Sequence, residues 1–241
     1  MKEDIKYIYN KIGEKFSNTR KKHRPEINII KNYVGNQSKV LDLGCGDGRL
    51  VDYLDDDINY IGVDISDKLI SIAQEKYPNK NFYVDDMINF LKKQNQQVYD
   101  NIIMLASFQH IPTQNERIMI LKNIYKSLNY GGRLILVNWC FSGWFIRKYK
   151  KQLSKSLIKT ILTCGIKSYK DIYIPWKTQE EELHRYYHIF SLKELNKLLK
   201  YSGLIIEKSE FTNGNGEFTK KFNNKRNSLV IAKKDILKSN N

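Results

Sequence analysis

Buried strands and amphipathic helices alternate along the first half of this sequence, and that alternation constrains the fold more than any other feature. Each short apolar segment is followed by a segment whose apolar residues recur at helical spacing. Such a progression favours an α/β fold, with a parallel sheet and helices on both of its faces. The predicted strands lie at 39–43, 59–64, 81–85, 101–106 and 133–138, and the predicted helices at 48–55, 66–77, 86–94 and 113–129.

Further segments extend this core, which spans residues 37–138, at both ends. Two predicted helices precede it within residues 1–35. Residues 140–190 form an insertion that is too long for an ordinary connection, and residues 191–234 hold a helix opened by a capping box and two strands expected to pair antiparallel. A chain of 241 residues has room for one such α/β domain, so we predict a single domain.

The charge balance is strongly basic, with 41 Lys or Arg residues against 26 Asp or Glu and a formal net charge of +15. This excess is typical of proteins that bind nucleic acid, although a general richness in lysine gives the same balance. No apolar run is long enough for a membrane span and no secretion signal opens the chain, so we expect a cytoplasmic protein without stable membrane insertion. The scattered Cys45, Cys140 and Cys164 predict neither a metal site nor a disulfide.

A glycine-rich turn follows the first strand, with Gly44, Gly46 and Gly48 in alternation. Glycine has no Cβ and readily takes positive φ, so this turn lets the backbone pass close to a ligand. A dinucleotide site would require a third glycine at the sixth position of G-x-G-x-x-G, where this chain has Arg49. The turn therefore predicts a cofactor without a pyrophosphate, or a turn that binds no ligand.

Acidic residues end the next two strands. Asp64 closes the strand at 59–64, where its carboxylate can accept hydrogen bonds from both hydroxyls of a ribose. Asp85 and Asp86 follow the third strand, and Met87 comes next, a combination suited to the amino group and ring of an adenine. Paired acids after a strand also serve as charges at a helix N-terminus, so both interpretations stay open.

Together these residues resemble the signature of the class I S-adenosylmethionine-dependent methyltransferases, an Asp-x-Gly-x-Gly-x-Gly turn with acids after the second and third strands. The resemblance implies a Rossmann-like fold whose seven-stranded, mostly parallel sheet has its last strand inserted antiparallel. It also implies S-adenosyl-L-methionine as the cofactor. The residues expected to bind that cofactor are Tyr9, Asp42, Gly44, Cys45, Gly46, Gly48, Asp64, Ile65, Asp86, Met87 and Ser107.

A narrower resemblance covers nearly the whole chain. Several segments are similar to the tRNA wobble-uridine methyltransferases, which esterify 5-carboxymethyluridine. Those segments are 9–12, 16–20, 131–139, 171–176, 185–190 and 227–232. The chain departs from that family at Arg24, where the family has Trp, and at Gln109, where it has His. The resemblance implies tRNA as a partner and, in eukaryotic members, a small activating protein subunit.

Two residues are predicted to act in catalysis. Methyl transfer is an in-line displacement in which alignment supplies most of the acceleration, and a carboxylate nucleophile is already ionised at about pH 7. Arg20 can hold a carboxylate in a bidentate fork, either that of the substrate or that of the cofactor's methionine moiety. His110, just beyond the fourth strand, can hydrogen-bond the substrate or act as a base.

The insertion carries the predicted substrate surface. Residues 141–190 hold ten Lys or Arg and four acids, a net charge of +6, and six of the cations crowd into one predicted helix. Such a helix can follow a phosphate backbone, although its apolar residues are also typical of a helix on an anionic membrane. We expect substrate contacts from Trp139, Trp176, Arg185, Tyr186, His188, Lys148, Lys150 and Lys151.

Two other functions are compatible with the same fold. One is a methyltransferase for a small or lipid-like molecule, and the other is a catalytically silent subunit that only binds RNA. The intact Asp42, Gly44 and Asp64 argue against a silent subunit, and the basic insertion argues against a small substrate.

Overall fold

A computed structural model describes residues 2–19, 24–94, 98–165 and 168–235 of the chain. Its main feature is a seven-stranded sheet with the strand order β3-β2-β1-β4-β5-β9-β8, in which β9 alone runs antiparallel to both of its neighbours. This is the sheet that the sequence predicts. Its strands are β1 (Lys39–Leu43), β2 (Asn59–Asp64), β3 (Asn81–Val84), β4 (Tyr99–Leu105), β5 (Leu128–Trp139), β8 (Ile205–Thr212) and β9 (Asn227–Lys233).

Helices cover both faces of the sheet. One apolar cluster joins the sheet to α4, α5 and α7, and a second joins the opposite face to α2 and α3. The helices are α1 (Lys2–Asn18), α2 (Glu26–Lys31), α3 (Asp67–Lys76), α4 (Met87–Lys93), α5 (Gln114–Ser127), α6 (Gly143–Leu162) and α7 (Leu192–Tyr201). None of the helices in the described part of the chain has the length and apolar character needed to cross a bilayer.

Ser or Thr followed three residues later by Glu, the pattern that predicts a capping box, opens both α5 and α7, and the two helices differ in the structure. In α5, Thr113 accepts from the Glu116 amide and the Glu116 carboxylate accepts from the Thr113 amide, so the predicted box is complete. In α7, Ser191 accepts from the Glu194 amide at 3.2 Å, but the Glu194 carboxylate binds His188 and Lys170 instead. The second box is therefore half formed, because Lys170 and His188 take the place of the backbone amide at that carboxylate.

The helix predicted at 48–55 is reduced to a single 3-10 turn, Val51–Tyr53. Gly48 has a φ of +75°, which no right-handed helix accommodates, and its α-carbon lies against the Phe82 ring. The following amides bond three residues back, with Tyr53 N donating to Leu50 O at 3.1 Å. The local packing of the glycine turn therefore prevents the longer helix.

The insertion forms α6 and a two-stranded antiparallel hairpin, β6 (Asp171–Lys177) and β7 (Glu182–His188). α6 packs on the hairpin through Phe145 and Tyr149, and it is kinked at Tyr149, where φ is −116° and ψ is 24°. On its other side the hairpin contacts α1, because Leu183 joins Ile8 and Ile12 in a separate apolar cluster. The hairpin and α1 thus cover the carboxyl edge of the main sheet.

Candidate active site

A cleft opens at the carboxyl edge of the sheet, beside the ends of β1, β2 and β4, with α1 and the hairpin as its outer walls. Its volume is about 1200 Å³, including the open mouth. Ligands of doubly wound folds bind at this edge. The predicted cofactor residues that line the cleft are Tyr9, Asp42, Gly44, Cys45, Gly46, Asp64, Ile65, Asp86, Met87 and Ser107.

The glycine turn shows where a ligand can approach the backbone. Gly44 has a φ of +78°, and a Cβ there would meet Ser107 Cβ at 2.3 Å. Gly46 has a φ of +58°, and a Cβ there would meet no atom within 4 Å. Gly44 is therefore needed for close packing of β1 against the end of β4, whereas the space above Gly46 is open cleft that a bound molecule can fill.

Asp64 is held by the same turn. Its Oδ2 accepts from the Gly46 amide at 2.9 Å, and its Oδ1 accepts from the Ser66 amide at 2.9 Å. Burial raises the pKa of this carboxyl, while the backbone hydrogen bonds act in the opposite direction. Each oxygen keeps a second acceptor site, so the geometry suits a ligand that offers two neighbouring hydroxyls.

Asp42 lies deeper in the cleft wall. Tyr60 Oη donates to its Oδ2 at 2.9 Å, and its Oδ1 is buried without a hydrogen-bond partner. Burial raises the pKa of Asp42 to about 7. An orphaned buried oxygen in a ligand cleft is a place where a donor from a bound molecule, or through water, fits.

Asp86 has the role at a helix N-terminus that one interpretation of the sequence predicts. Its Oδ1 accepts from the Ile88 and Asn89 amides at 3.0 and 3.2 Å, so it caps α4. It also lines the cleft, beside Met87. The two interpretations are compatible, because a carboxylate has a second oxygen and about four acceptor sites in all.

Cys45 and Gly48 contribute less directly. Cys45 lines the cleft but its side chain packs into the core cluster around α2 and α3, and burial raises the pKa of its thiol well above the usual value. Gly48 does not line the cleft; a Cβ there would lie 2.8 Å from the Phe82 ring. Gly48 thus supports the turn through packing.

Ser107 ends β4 in a strained segment. The preceding Ala106 has a φ of +61°, in the left-handed region that side chains rarely adopt. Ser107 Oγ donates to the Leu43 carbonyl, which ties β4 to the end of β1. Both residues line the cleft, in keeping with the tendency of backbone strain to collect at functional sites.

His110 and Tyr9 form a pair in the cleft wall. His110 Nδ1 lies 2.8 Å from the Tyr186 carbonyl, which can only accept, so this nitrogen carries the proton. In the neutral ring His110 Nε2 then accepts from Tyr9 Oη at 3.2 Å. The imidazole also packs against the Tyr187 ring, with centroids 4.5 Å apart. These contacts fix the imidazole and direct its basic nitrogen at Tyr9.

An aromatic wall closes the substrate side of the cleft. Trp139 stacks on Tyr187 with centroids 4.9 Å apart and an interplanar angle of 17°. The Trp139 amide donates to the Gln109 side chain at 2.8 Å, which holds the end of β5 beside the turn after β4. Both rings line the cleft, and substrate contact by Trp139 stays a prediction.

Trp176 and Arg185 lie behind this wall rather than in it. The Trp176 ring packs beside Phe16, with centroids 6.1 Å apart, and the Arg185 guanidinium carbon lies 4.8 Å from the Trp176 ring centre. Of these three side chains, only Phe16 lines the cleft.

Tyr186 and His188 belong to a buried ion network outside the cleft. His188 contacts Asp171 through Nδ1 and Glu194 through Nε2, the latter at 2.8 Å. Tyr186 Oη donates to Asp171 at 2.7 Å. Burial raises both carboxyl pKa values, but hydrogen bonds from His188 and Lys170 hold the pKa of Glu194 at about 2. Hydrogen bonds from His188 and Tyr186 likewise lower the pKa of Asp171. The network ties the hairpin to α7, so direct substrate contact by Tyr186 and His188 stays a prediction.

The three lysines that the sequence analysis predicts to contact the substrate lie on α6. Lys148, Lys150 and Lys151 are all exposed on α6, and Lys148 Nζ lies 4.9 Å from the Trp144 ring centre. Arg20 lies outside the described residues, so its predicted role stays untested.

Several cleft residues were missed by the sequence analysis as site residues. From the sequence, Tyr187 could equally be a core residue or a site residue, and its position in the cleft depends on the pairing of β6 with β7. Arg24 and Gln109 were visible only as departures from the family pattern. The missed residues that line the cleft include Ile5, Phe16, Arg24, Arg49, Gln109 and Tyr187.

Comparison with known proteins shows what the chain resembles in sequence and in fold. Residues 41–134 match a family model described as "Methyltransferase domain". A solved S-adenosylmethionine-dependent methyltransferase from Methanosarcina mazei has the same fold, with a TM-score of 0.69 at 23% identity, covering 86% of this chain and 97% of that one. Part of the chain thus matches a methyltransferase domain model, and the chain shares the fold of that solved enzyme.

Among curated proteins the chain is similar to one particular enzyme. It is 27% identical over 175 residues to tRNA (carboxymethyluridine(34)-5-O)-methyltransferase of Saccharomyces cerevisiae, covering 72% of this chain and 56% of that enzyme. It is 24% identical over 221 residues to the enzyme of that name from Schizosaccharomyces pombe, covering 83% of this chain and 88% of that enzyme. The chain thus spans little more than half of the first relative and most of the second.

Proposed function

We propose that this protein transfers a methyl group from S-adenosylmethionine to the carboxymethyl group of a modified wobble uridine in tRNA. The proposal rests on a cleft at the carboxyl edge of the sheet, which combines the open space above Gly46, a half-buried carboxylate acceptor at Asp64 and an aromatic wall. The similarity to the two yeast enzymes supports the choice of substrate.

The cofactor half of the cleft fits a nucleoside with a charged tail. The open space above Gly46 can take the ribose edge, while Asp64 accepts from its hydroxyls. Met87 and Ile65 supply apolar surface for the adenine, and Asp86 supplies an acceptor for its amino group. Bound there, S-adenosylmethionine supplies the electrophilic methyl group.

The reaction demands alignment more than proton transfer. Attack by a carboxylate oxygen forms one O–C bond while the S–C bond of the donor breaks, sulfur keeps the electron pair, and no proton moves. This reaction therefore does not need His110 as a general base. Its contacts with Tyr9 and the Tyr186 carbonyl make it a positioning residue that fixes the wall on which the nucleotide rests.

The RNA is expected to lie along α6. Exposed Lys148, Lys150 and Lys151 lie on both sides of the helix kink at Tyr149. That kink packs against the aromatic wall, with the ring centroids of Trp139 and Tyr149 stacked 6.0 Å apart. A phosphate backbone on those lysines leads toward the cleft mouth. Trp139 and Tyr187 then offer stacking faces to an unstacked base.

A second candidate substrate is a lipid-like molecule. Four apolar side chains at the end of α6 are exposed, a pattern that favours an interface with a membrane or a lipid. They are Leu157 (51% exposed), Ile158 (56%), Ile161 (68%) and Leu162 (79%). Binding to anionic vesicles in preference to tRNA would favour this candidate.

The experiment is a transfer of labelled methyl groups from S-adenosylmethionine to tRNA carrying 5-carboxymethyluridine. The account expects label in that RNA, little in tRNA with an unmodified wobble uridine, and release of the label as methanol in mild alkali, because an ester is hydrolysed where N-, C- and ether-linked methyl groups are not. Alkali-stable label would contradict the proposed chemistry.

A further inference from the structure

Arg185 on β7 is a buried cation with unsatisfied donors. The residue is 5% exposed, and its Nε and Nη1 are buried without a hydrogen-bond partner. Buried polar groups are nearly always hydrogen-bonded, and a buried charge without a partner is strongly destabilising. The fold keeps two such donors on one guanidinium, so a bound group that accepts from them is expected.

A second buried arginine in the same region shows what full satisfaction looks like. Arg117 is also 5% exposed, but its Nε donates to the Ile111 carbonyl at 2.9 Å, and its Nη2 donates to Pro112 O and Tyr186 Oη at 3.1 Å each. The structural role of Arg117, joining α5 to the hairpin, is complete without a ligand. Arg185 has no comparable set of acceptors.

The rings around Arg185 connect it to the cleft. Its guanidinium carbon lies 4.8 Å from the ring centre of Trp176 and 5.5 Å from that of Tyr187. Tyr187 lines the cleft and stacks on Trp139, while Trp176 packs beside the cleft residue Phe16. Two ring faces keep the guanidinium in place, and the Tyr187 ring, which packs on the guanidinium and also lines the cleft, must move aside for a substrate group to reach the donors.

The charge of Arg185 and of its surroundings indicates which class of ligand it can bind. Across the described residues, no carboxylate forms an ion pair with Arg185, although acidic side chains pair with the nearby Lys170 and His188. A guanidinium presents adjacent donors in a planar fork that matches the two oxygens of a carboxylate. A planar anion is therefore the class of ligand that fits these donors.

We propose that Arg185 binds the carboxylate of the substrate nucleotide and sets the specificity of the site for the free acid. This inference rests on the proposed function, since it places the carboxymethyl group of the uridine against the hairpin. The guanidinium donates to one lone pair on each carboxylate oxygen. The remaining lone pairs of these oxygens stay available for attack on the methyl group. The ester product has no charge and loses most of this contact, which favours its release.

The test compares two anticodon stem-loop RNAs that differ only in the wobble nucleotide, one with 5-carboxymethyluridine and one with its methyl ester. Binding of each is measured in the presence of S-adenosylhomocysteine, for the wild type, Arg185→Met and Arg185→Lys. We expect the wild type to prefer the acid by about ten- to a hundredfold, the range for hydrogen bonds to a charged group. Arg185→Met should abolish the preference, and Arg185→Lys should restore part of it.

Two controls separate this role from a structural one. Lys200→Met removes an exposed cation on α7 and should leave the preference intact. Arg185→Met should keep or raise the melting temperature, because it removes a buried charge that has no partner in the folded chain. The readout is the ratio of the affinities for the two RNAs. A general loss of RNA affinity lowers both values equally and leaves this ratio unchanged.

The outcomes distinguish this inference from the proposed function. An acid preference that persists in Arg185→Met, or a wild type that does not discriminate acid from ester, overturns the role of Arg185. If the wild type shows an Arg185-dependent preference but transfers no methyl group to the acid RNA, the carboxylate site stands and the proposed reaction fails. If it transfers the methyl group and Arg185→Met retains the acid preference, the reaction stands and the inference fails.

Discussion

Substituting Gly46 and Gly44 by alanine separates ligand binding from folding. At Gly46, with φ +58°, an added methyl group meets no protein atom within 4 Å, so only the backbone conformation opposes it. A left-handed alanine costs about 1–2 kcal/mol. For a chain of this length each kcal/mol lowers the melting temperature by about 2–4 °C, so we expect a fall of roughly 2–8 °C.

Gly44→Ala is the matched variant, because the same methyl group there would lie 2.3 Å from Ser107 Cβ. Ser107 cannot move away easily, since it is buried and its hydroxyl is bonded to the Leu43 carbonyl. Overpacking adds about 1–3 kcal/mol to the backbone cost, and a total of about 3 kcal/mol corresponds to a fall of roughly 6–12 °C.

Calorimetric titration with S-adenosylhomocysteine, beside thermal melting, is the assay for this pair. Gly46→Ala should stay folded but bind at least about tenfold more weakly, because its methyl group occupies the space assigned to the ligand. Gly44→Ala should show the larger loss of stability. Normal affinity in a folded Gly46→Ala variant would refute the assignment of the cofactor to this turn.

Three other predictions concern charged residues. Asp64→Ala should weaken S-adenosylhomocysteine binding by about 1.5–3 kcal/mol in the same titration, and unchanged affinity would remove Asp64 from the site. The pKa of Asp42 is raised to about 7, so the free energy of unfolding should fall as pH rises from about 4 to about 7, because the unfolded chain ionises this carboxyl more readily. Asp42→Asn should remove up to about 4 kcal/mol of that fall, measured by denaturant unfolding at several pH values. Identical pH profiles for the wild type and the variant would contradict the raised pKa. Replacing the three α6 lysines 148, 150 and 151 by alanine should lower the slope of log tRNA affinity against log salt by up to about 2, whereas the same change at the three exposed α7 lysines should not. The lysines of that control are Lys193, Lys197 and Lys200.

The core was predictable because its signals are local. β1 and β2 have the predicted bounds, since each is an apolar run that ends in a residue with a defined role, the glycine turn or Asp64. β5 begins five residues earlier than the predicted 133, at Leu128, because Gly131 and Gly132 resemble a turn in sequence. In the structure β5 continues through these two glycines, and a register shift between Tyr99 and Asn101 of the neighbouring β4 accommodates them.

The substrate side of the cleft was less predictable because it depends on contacts distant in sequence. Nothing local to Tyr187 distinguishes a cleft wall from a core position, since its neighbours along β7 are buried as well. His188 illustrates the same limit: its two carboxylate partners come from β6 and α7. Even the unsatisfied donors of Arg185 become visible only when the hairpin is packed against α1.

The most direct test of the central claim is mass spectrometry of the wobble nucleoside. Transfer RNA carrying 5-carboxymethyluridine is incubated with the protein and S-adenosylmethionine, digested to nucleosides and compared with a reaction that contains Gly46→Ala. The account predicts that 5-carboxymethyluridine gains one methyl group as an ester in the wild-type reaction and stays largely unchanged with the variant. A wobble nucleoside that stays unmethylated with wild-type protein that binds the cofactor would contradict the account.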